Sequence, residues 1–205
     1  MSLPDRIRLP YSFDPAALAG DLSQVVNDDW TRHFVRQNYN GNWSAIALRA
    51  PAGETHPIRM IFSDPSATTF VETPLLARAQ SFQKVLARFS CPLLSVRLMR
   101  LGPGSQIKPH RDLDLDADIG IARLHVPILT GPEVEFRLNG TPVAMRPGEC
   151  WYLRLSEEHS VVNNGTVDRV HIVIDAEVND WLMDELRAAA AWTTGADPIY
   201  NAPMA

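Results

Sequence analysis

The chain has 205 residues, 45% of them hydrophobic and 21% charged, and a net charge of -5. This suits one domain with a core of its own, needing neither disulfides nor a structural metal. With 19 lysines and arginines against 24 acids and no basic run, the composition argues against nucleic acid or an anionic membrane as partner.

Residues 1–10 carry Asp5, Arg6 and Arg8 and no apolar run, so no signal peptide is expected there. No stretch approaches the roughly 18–20 apolar residues of a membrane span, and Cys91 and Cys150 read as reduced, buried thiols. The expectation is a cytoplasmic protein. Asp14-Pro15, a capping carboxylate before a first-turn proline, predicts a helix over about 14–28 with Leu18, Leu22, Val25 and Val26 at helical spacing. Tyr39 to Trp43 reads as a turn with aromatic flanks, and 44–49 as a short strand. Residues 50–73 are rich in proline and small polar residues and read as loop. A second helix starts at Thr73-Pro74, its stripe of Leu75, Ala79, Phe82, Val85, Leu86 and Phe89 facing a sheet.

From Leu94 the pattern changes to period two, with a turn every 8–12 residues. Strands are predicted at about 95–101, 106–112, 120–129, 132–138, 141–145, 150–155, 158–163 and 168–175. So many short strands with Gly- and Pro-rich separators predict a jelly roll of the cupin type, mainly β with flanking helices. A closing helix over Val178 to Ala191, capped by Asn179, completes a single domain. Its parts are a helical and loop region at 1–92, a β core at 93–176, and a helix and tail at 177–205.

The chemistry gathers at Lys108-Pro109-His110-Arg111-Asp112. On an extended strand His110 and Asp112 leave the same face. They supply two thirds of a 2-His-1-carboxylate facial triad, the ligand set of non-haem Fe(II) oxygenases. His159 at the start of its strand is the preferred third ligand, with His171 as rival. Asn163-Asn164-Gly165 predicts a hairpin in which 159 pairs with 171 and 161 with 169, so that His159 and Arg169 share a cavity-facing side. A one-residue slip in that register would separate them. An inward Arg169 would need an anion, either a bound carboxylate or a salt bridge to Asp168 or Asp175. Arg123 and His125 share one face of their strand, inward with an anion or outward with Leu124 and Val126 inside. The acidic series Asp112, Asp114, Asp116, Asp118 is not a calcium loop, since Ile119 stands where that loop needs glycine.

The pattern Tyr39-x-Gly41-x-Trp43, Arg97-Leu98-x-Arg100-Leu101-x-Pro103-Gly104-Ser105, His110-Arg111-Asp112, Arg123-x-His125-x-Pro127, Pro147-Gly148-Glu149-x-Trp151, His159-Ser160-Val161 and Asp168-Arg169-Val170-His171 resembles the aspartyl/asparaginyl β-hydroxylase family of Fe(II)- and 2-oxoglutarate-dependent oxygenases. It is also similar to related bacterial hydroxylases of free L-proline. The resemblance implies a double-stranded β-helix in which His110, Asp112 and His159 bind iron. It further implies that Arg169 holds the remote carboxylate of 2-oxoglutarate, that Arg123 and His125 assist at its metal-side carboxylate, and that O2 is the oxidant. The product would be hydroxylated at an unactivated C–H bond of an amino-acid-like small molecule or of an Asp or Asn residue in a peptide. Asp112 stands where animal members have glycine, which favours a small substrate and argues against halogenation. Asn42, Trp43, Arg49, Arg100 and Arg111 are candidate substrate contacts, with a core role for Trp43 and surface roles for the arginines as the alternatives. The competing functions are a non-catalytic cupin-type binding or sensor module and a zinc hydrolase or isomerase.

Overall fold

The computed structural model describes residues 2–25, 29–64 and 66–195. Two antiparallel sheets face each other. The major sheet runs β1 (Arg6–Ser12), β11 (Glu149–Leu153), β8 (Ile121–Leu129), β13 (Arg169–Glu177), β6 (Leu93–Leu101), β4 (Trp43–Pro51), β2 (Thr31–Arg32), with β5 (Phe70–Glu72) also on β4. The minor sheet runs β10 (Thr141–Pro142), β9 (Val134–Leu138), β12 (His159–Asn163), β7 (Gln106–His110), β3 (Tyr39–Asn40). This is the expected mainly β double-stranded β-helix with flanking helices.

The central strands of the major sheet are buried on both faces. Their even-numbered residues, among them Leu98, Leu124, Val126, Ile172 and Ile174, pack in a core shared with Leu18, Leu76, Phe82, Val85 and Leu182 of the helices. Their odd-numbered residues, Met99, Leu101 and Val173, meet Ile107, Phe136, Leu138 and Val161 of the minor sheet. Each such buried aliphatic side chain contributes roughly 1.5–3 kcal/mol. The inner layer is where polar side chains intrude. Arg97, Val173 and His125 are cross-strand neighbours, and Asp175 stands directly opposite Arg123.

The helices begin where their caps dictate. Asp14 accepts from the Ala16 and Ala17 amides at the start of α1 (Pro15–Leu22). Thr73 accepts from the Leu76 amide at α3 (Pro74–Arg78), and Asn179 Oδ1 from the Leu182 amide at α5 (Asp180–Gly195). The predicted first helix reached 28; residues 26–28 lie outside those described, as does the tail from 196. No helix among the described residues is long and apolar enough to cross a membrane.

Several expectations are corrected. The second helix is two, α3 and α4 (Gln80–Leu86), broken at Ala79 where the backbone turns to φ -105, ψ 85. The predicted loop at 50–73 contains α2 (Pro57–Ile61) and β5. β1 was not foreseen, although Ile7, Leu9 and Tyr11 alternate inward and pair the strand with β11. The strand expected at 106–112 ends at His110, so Asp112 sits just beyond it, its amide donating to Leu155 O at 2.8 Å.

The largest correction concerns the predicted 159–171 hairpin. β12 pairs with β7 and β9, whereas β13 pairs with β6 and β8 in the other sheet. The turn between them is a crossover between sheets. Asn163, fully buried, closes it by donating to Leu101 O and Val167 O, both at 2.9 Å, and accepting from the Gly165 amide.

Candidate active site

His110 ends β7 and His159 opens β12, and the two are direct cross-strand partners with ring centroids 4.2 Å apart. Asp112 follows on the loop. One ligand atom from each of the three lies within 4.8 Å of the others. Three such groups this close together could hold one metal ion. Both tautomers are already set for it. His110 Nδ1 donates to Lys108 O at 2.8 Å and His159 Nδ1 to Glu157 O at 3.0 Å, which leaves both Nε2 lone pairs free. Burial, and then the neighbouring His110, push His159 down to about 4, so it is neutral and ready to ligate at neutral pH. Two imidazoles and one carboxylate form the N,N,O face suited to Fe(II). His171, the rival ligand, is fully buried elsewhere and accepts from Arg169 through Nδ1.

The triad opens into a cavity of about 360 Å³ between the sheets. Its inner wall comes from the odd-numbered positions of the major sheet: Arg97, Arg123, His125 and Arg169. The inward reading of Arg123 and His125 therefore holds, with Leu124 and Val126 on the opposite, helix-covered face. Arg123 is held on three sides. Its Nε donates to Asp175 Oδ1 at 2.6 Å, one terminal nitrogen to Asp175 Oδ2 at 3.0 Å, and the other to Asp112 Oδ2 at 3.0 Å. Arg97 pairs with the same Asp175 and donates to Ser63 Oγ and Ile61 O. The two guanidiniums hold the Asp175 carboxyl well below the usual carboxylate range against the opposing effect of burial.

Arg169 differs. It is 3% exposed, yet among the described residues no carboxylate pairs with it. Asp168 lies instead near Arg100, and Asp175 serves Arg97 and Arg123. One terminal nitrogen meets His171 Nδ1 at 2.9 Å, and Nε has no partner. Burial alone lowers its pKa to about 9. Beside it His125 is buried with neither ring nitrogen bonded among the described residues, and burial holds it neutral. A buried cation without an anion, next to an unpartnered imidazole, is an arrangement a bound carboxylate would complete. The donors present thus fit both an iron(II) ion and a dicarboxylate.

Aromatic side chains form the mouth. His33 stacks on Trp43 with centroids 3.5 Å apart and on Phe34 at 4.7 Å; burial lowers its pKa to about 3. Among the candidate substrate contacts the structure brings Trp43 to the cavity lining and leaves the rest outside. Arg49 donates to Phe70 O and Leu93 O. Arg100 stacks on Trp30 and bonds Ser44. Arg111 is exposed near Glu157, and Asn42, also exposed, donates its backbone amide to Ser105 Oγ. Arg97 and Asp175 were not foreseen as site residues. The available signal was position: Ser95, Arg97, Met99 and Leu101 alternate along a strand apolar on both sides, where a charge has to be paired.

A model of the Aspartyl/Asparaginyl beta-hydroxylase family matches residues 16–178. L-proline cis-4-hydroxylase of Rhizobium meliloti (strain 1021) is 25% identical over 189 residues, covering 91% of this chain and 66% of that protein. L-proline cis-3-hydroxylase 2 of Streptomyces sp is 23% identical over 165 residues, covering 79% and 56%. The chain therefore spans less than two thirds of the length of either relative. An oxidoreductase of the 2OG-Fe(II) oxygenase family from Burkholderia pseudomallei shares the fold at TM-score 0.51 and 14% identity, covering 84% of this chain and 85% of that one. The matched residues span both sheets and include His110, Asp112 and His159, and the chain belongs to the aspartyl/asparaginyl β-hydroxylase family.

Proposed function

We propose that this protein is an Fe(II)- and 2-oxoglutarate-dependent oxygenase that hydroxylates an unactivated C–H bond of an amino-acid-like small molecule. One observation carries the reading: a buried guanidinium without an acidic partner among the described residues, Arg169, lines the same cavity as the His110, Asp112 and His159 triad. A hydrolase or isomerase has no use for such a dicarboxylate clamp. In this reading His110, Asp112 and His159 hold the metal. Arg169 takes the remote carboxylate of the cosubstrate and His125 donates to the cosubstrate as well, whereas Arg123, expected at the metal-side carboxylate, is bonded to Asp175 and Asp112. Iron with 2-oxoglutarate and O2 supplies the oxidising power, releasing succinate and carbon dioxide. The chain's own work is to position and to exclude water. His33, Phe34 and Trp43 give the mouth apolar faces against which a small ring or aliphatic body packs. The likeness to L-proline hydroxylases supports a free amino acid over a residue in a folded protein.

Anaerobic addition of Fe(II) and 2-oxoglutarate to the purified chain tests this. A visible charge-transfer band is expected, and it should vanish in His110→Ala. Amino acids and short peptides, each incubated with the loaded enzyme in air, are then read by mass for one added oxygen. No band, together with equal 2-oxoglutarate binding by His110→Ala, would sink the oxygenase reading.

A further inference from the structure

Asp175 is 2% exposed, stands behind the cavity wall and is absent from its lining. Both its oxygens are committed. Oδ1 accepts from Arg123 Nε at 2.6 Å; Oδ2 accepts from Arg123 at 3.0 Å, from Ser63 Oγ at 2.8 Å and from Arg97. The paired bonds fill one edge of the Arg123 fork and fix its plane. The remaining terminal nitrogen then points at Asp112 Oδ2, 3.0 Å away. The other Asp112 oxygen, Oδ1, is the one that faces His110 Nε2, at 3.9 Å. Held in this way, the ligand carboxylate offers the metal one oxygen while the other is occupied.

Charge points the same way. Three buried guanidiniums, Arg97, Arg123 and Arg169, line a cavity that has to accept a dication. Asp112 and the exposed Asp114 are the acids on its lining. Without Asp175 the two guanidiniums it serves would repel an incoming metal ion across a poorly screened interior.

We propose that Asp175 is a positioning residue for the metal centre: through Arg123 it holds the outer oxygen of Asp112 and so presents the inner one, while its charge offsets the arginines that surround the site. The proposal rests on the reading of His110, Asp112 and His159 as a metal centre.

The test is anaerobic calorimetric titration of the full chain with Fe(II), together with the visible absorption of its Co(II) form, which reports coordination number and geometry. Asp175→Asn is expected to bind Fe(II) at least tenfold more weakly and to change the intensity of the Co(II) bands. Arg97→Met removes a partner of Asp175 and one of the repelling cations but leaves the Asp175–Arg123–Asp112 link intact; it should bind Fe(II) no more weakly than wild type, whatever happens to its melting temperature. Wild-type affinity and spectrum in Asp175→Asn would overturn the proposal. So would equal losses in the two variants, which would make Asp175 a structural counterion. Should Asp175→Asn not fold, Arg123→Lys decides, since it keeps the cation and loses the fork. A tenfold loss with altered bands supports the link, and wild-type behaviour overturns it. A wild-type chain that takes up no divalent ion refutes the metal centre itself, and the proposal with it.

Discussion

Arg169→Met is expected to weaken cosubstrate binding while making the cosubstrate-free protein more stable. The guanidinium is 3% exposed, has no acidic partner among the described residues, and is lowered by burial from the usual arginine range to about 9. That drop corresponds to roughly 5 kcal/mol of unfavourable burial of the cation, as an order of magnitude. The sign follows from protonation. The unfolded chain holds this proton far above pH 9, so the penalty is fully present below about pH 9 and is relieved only as pH rises above it. Methionine fits the same apolar surroundings, Phe136 among them, without a charge. A gain of about 1–3 kcal/mol in stability is therefore expected, less than the full penalty because the contact with His171 is lost and packing is imperfect. Binding moves the other way. Removing one partner of a buried, charge-assisted carboxylate contact costs about 2–5 kcal/mol, which is roughly 30-fold to several thousand-fold in the dissociation constant. Urea unfolding of the metal-free chain measures the first effect, and anaerobic titration of the Fe(II) form with 2-oxoglutarate the second. A variant that is destabilised and yet binds 2-oxoglutarate like wild type would show that Arg169 is a structural cation and would refute the clamp.

His110→Ala and His159→Ala should each lower Fe(II) affinity by about a hundredfold or more, more than loss of a residue supporting a ligand would, as read by calorimetry. The metal-free chain should lose stability in mild acid. His33 and His159 are lowered to about 3 and about 4, and His125 and His171 fall well below 6.5, each chiefly through burial. The unfolded chain therefore takes up protons first, and stability present above pH 6.5 is lost as pH falls towards 4, by roughly 1 kcal/mol per histidine at pH 5.5. Urea midpoints that do not change between pH 7.5 and 5.5 would contradict this. Gly148→Ala should cost at least about 2 kcal/mol, because φ is +81 and the new Cβ would lie 2.2 Å from Phe13 O. Gly104→Ala, at φ +66 with nothing within 4 Å, should cost only the backbone part, about 1 kcal/mol, and equal losses in the two would undercut the steric argument.

Alternation along a strand groups candidate residues on one face, although for Arg123 and His125 the sequence alone leaves inward and outward open. His110 and His159 end and begin their strands, and Arg123, His125 and Arg169 each sit at inward positions. What alternation does not name is the partner strand. Arg169 and His159 do look into one cavity, but from opposing sheets rather than from one hairpin. The Asn163-Asn164-Gly165 turn carries the chemistry of a reversal in either case. Only the buried Asn163 bonds to Leu101 O and Val167 O distinguish a crossover, and those depend on strand β6, some sixty residues earlier. The substrate arginines failed for a related reason. Arg49 and Arg100 are on strands whose neighbours could satisfy them locally, through main-chain carbonyls and the face of Trp30, and nothing within their own segments reveals it. Asp175 reads from the sequence only as one possible partner for Arg169, because the sequence does not reveal that its cross-strand neighbour is Arg123.

The charges fixed around the cavity also bear on what enters it. Arg97, Arg123 and Arg169 face Asp112 and, through the wall, Asp175, an excess of one positive charge among these buried groups. A divalent ion adds two and a dianionic cosubstrate removes two, so the loaded site keeps that excess. The exposed Asp114 is screened by water and offsets it poorly. A free amino acid enters as a zwitterion with no net charge and leaves that excess at one, whereas its amide keeps only the ammonium and would raise the excess to two in a poorly screened interior. We therefore expect an amino acid with a free carboxylate to be hydroxylated at least tenfold more efficiently, in kcat/KM, than the corresponding amino acid amide. Measuring both compounds under identical loading with iron and 2-oxoglutarate decides the point. Comparable turnover of the amide would mean that Arg97 and Arg123 are spent wholly on Asp175 and Asp112, and that selection of the substrate falls to the aromatic mouth at His33, Phe34 and Trp43.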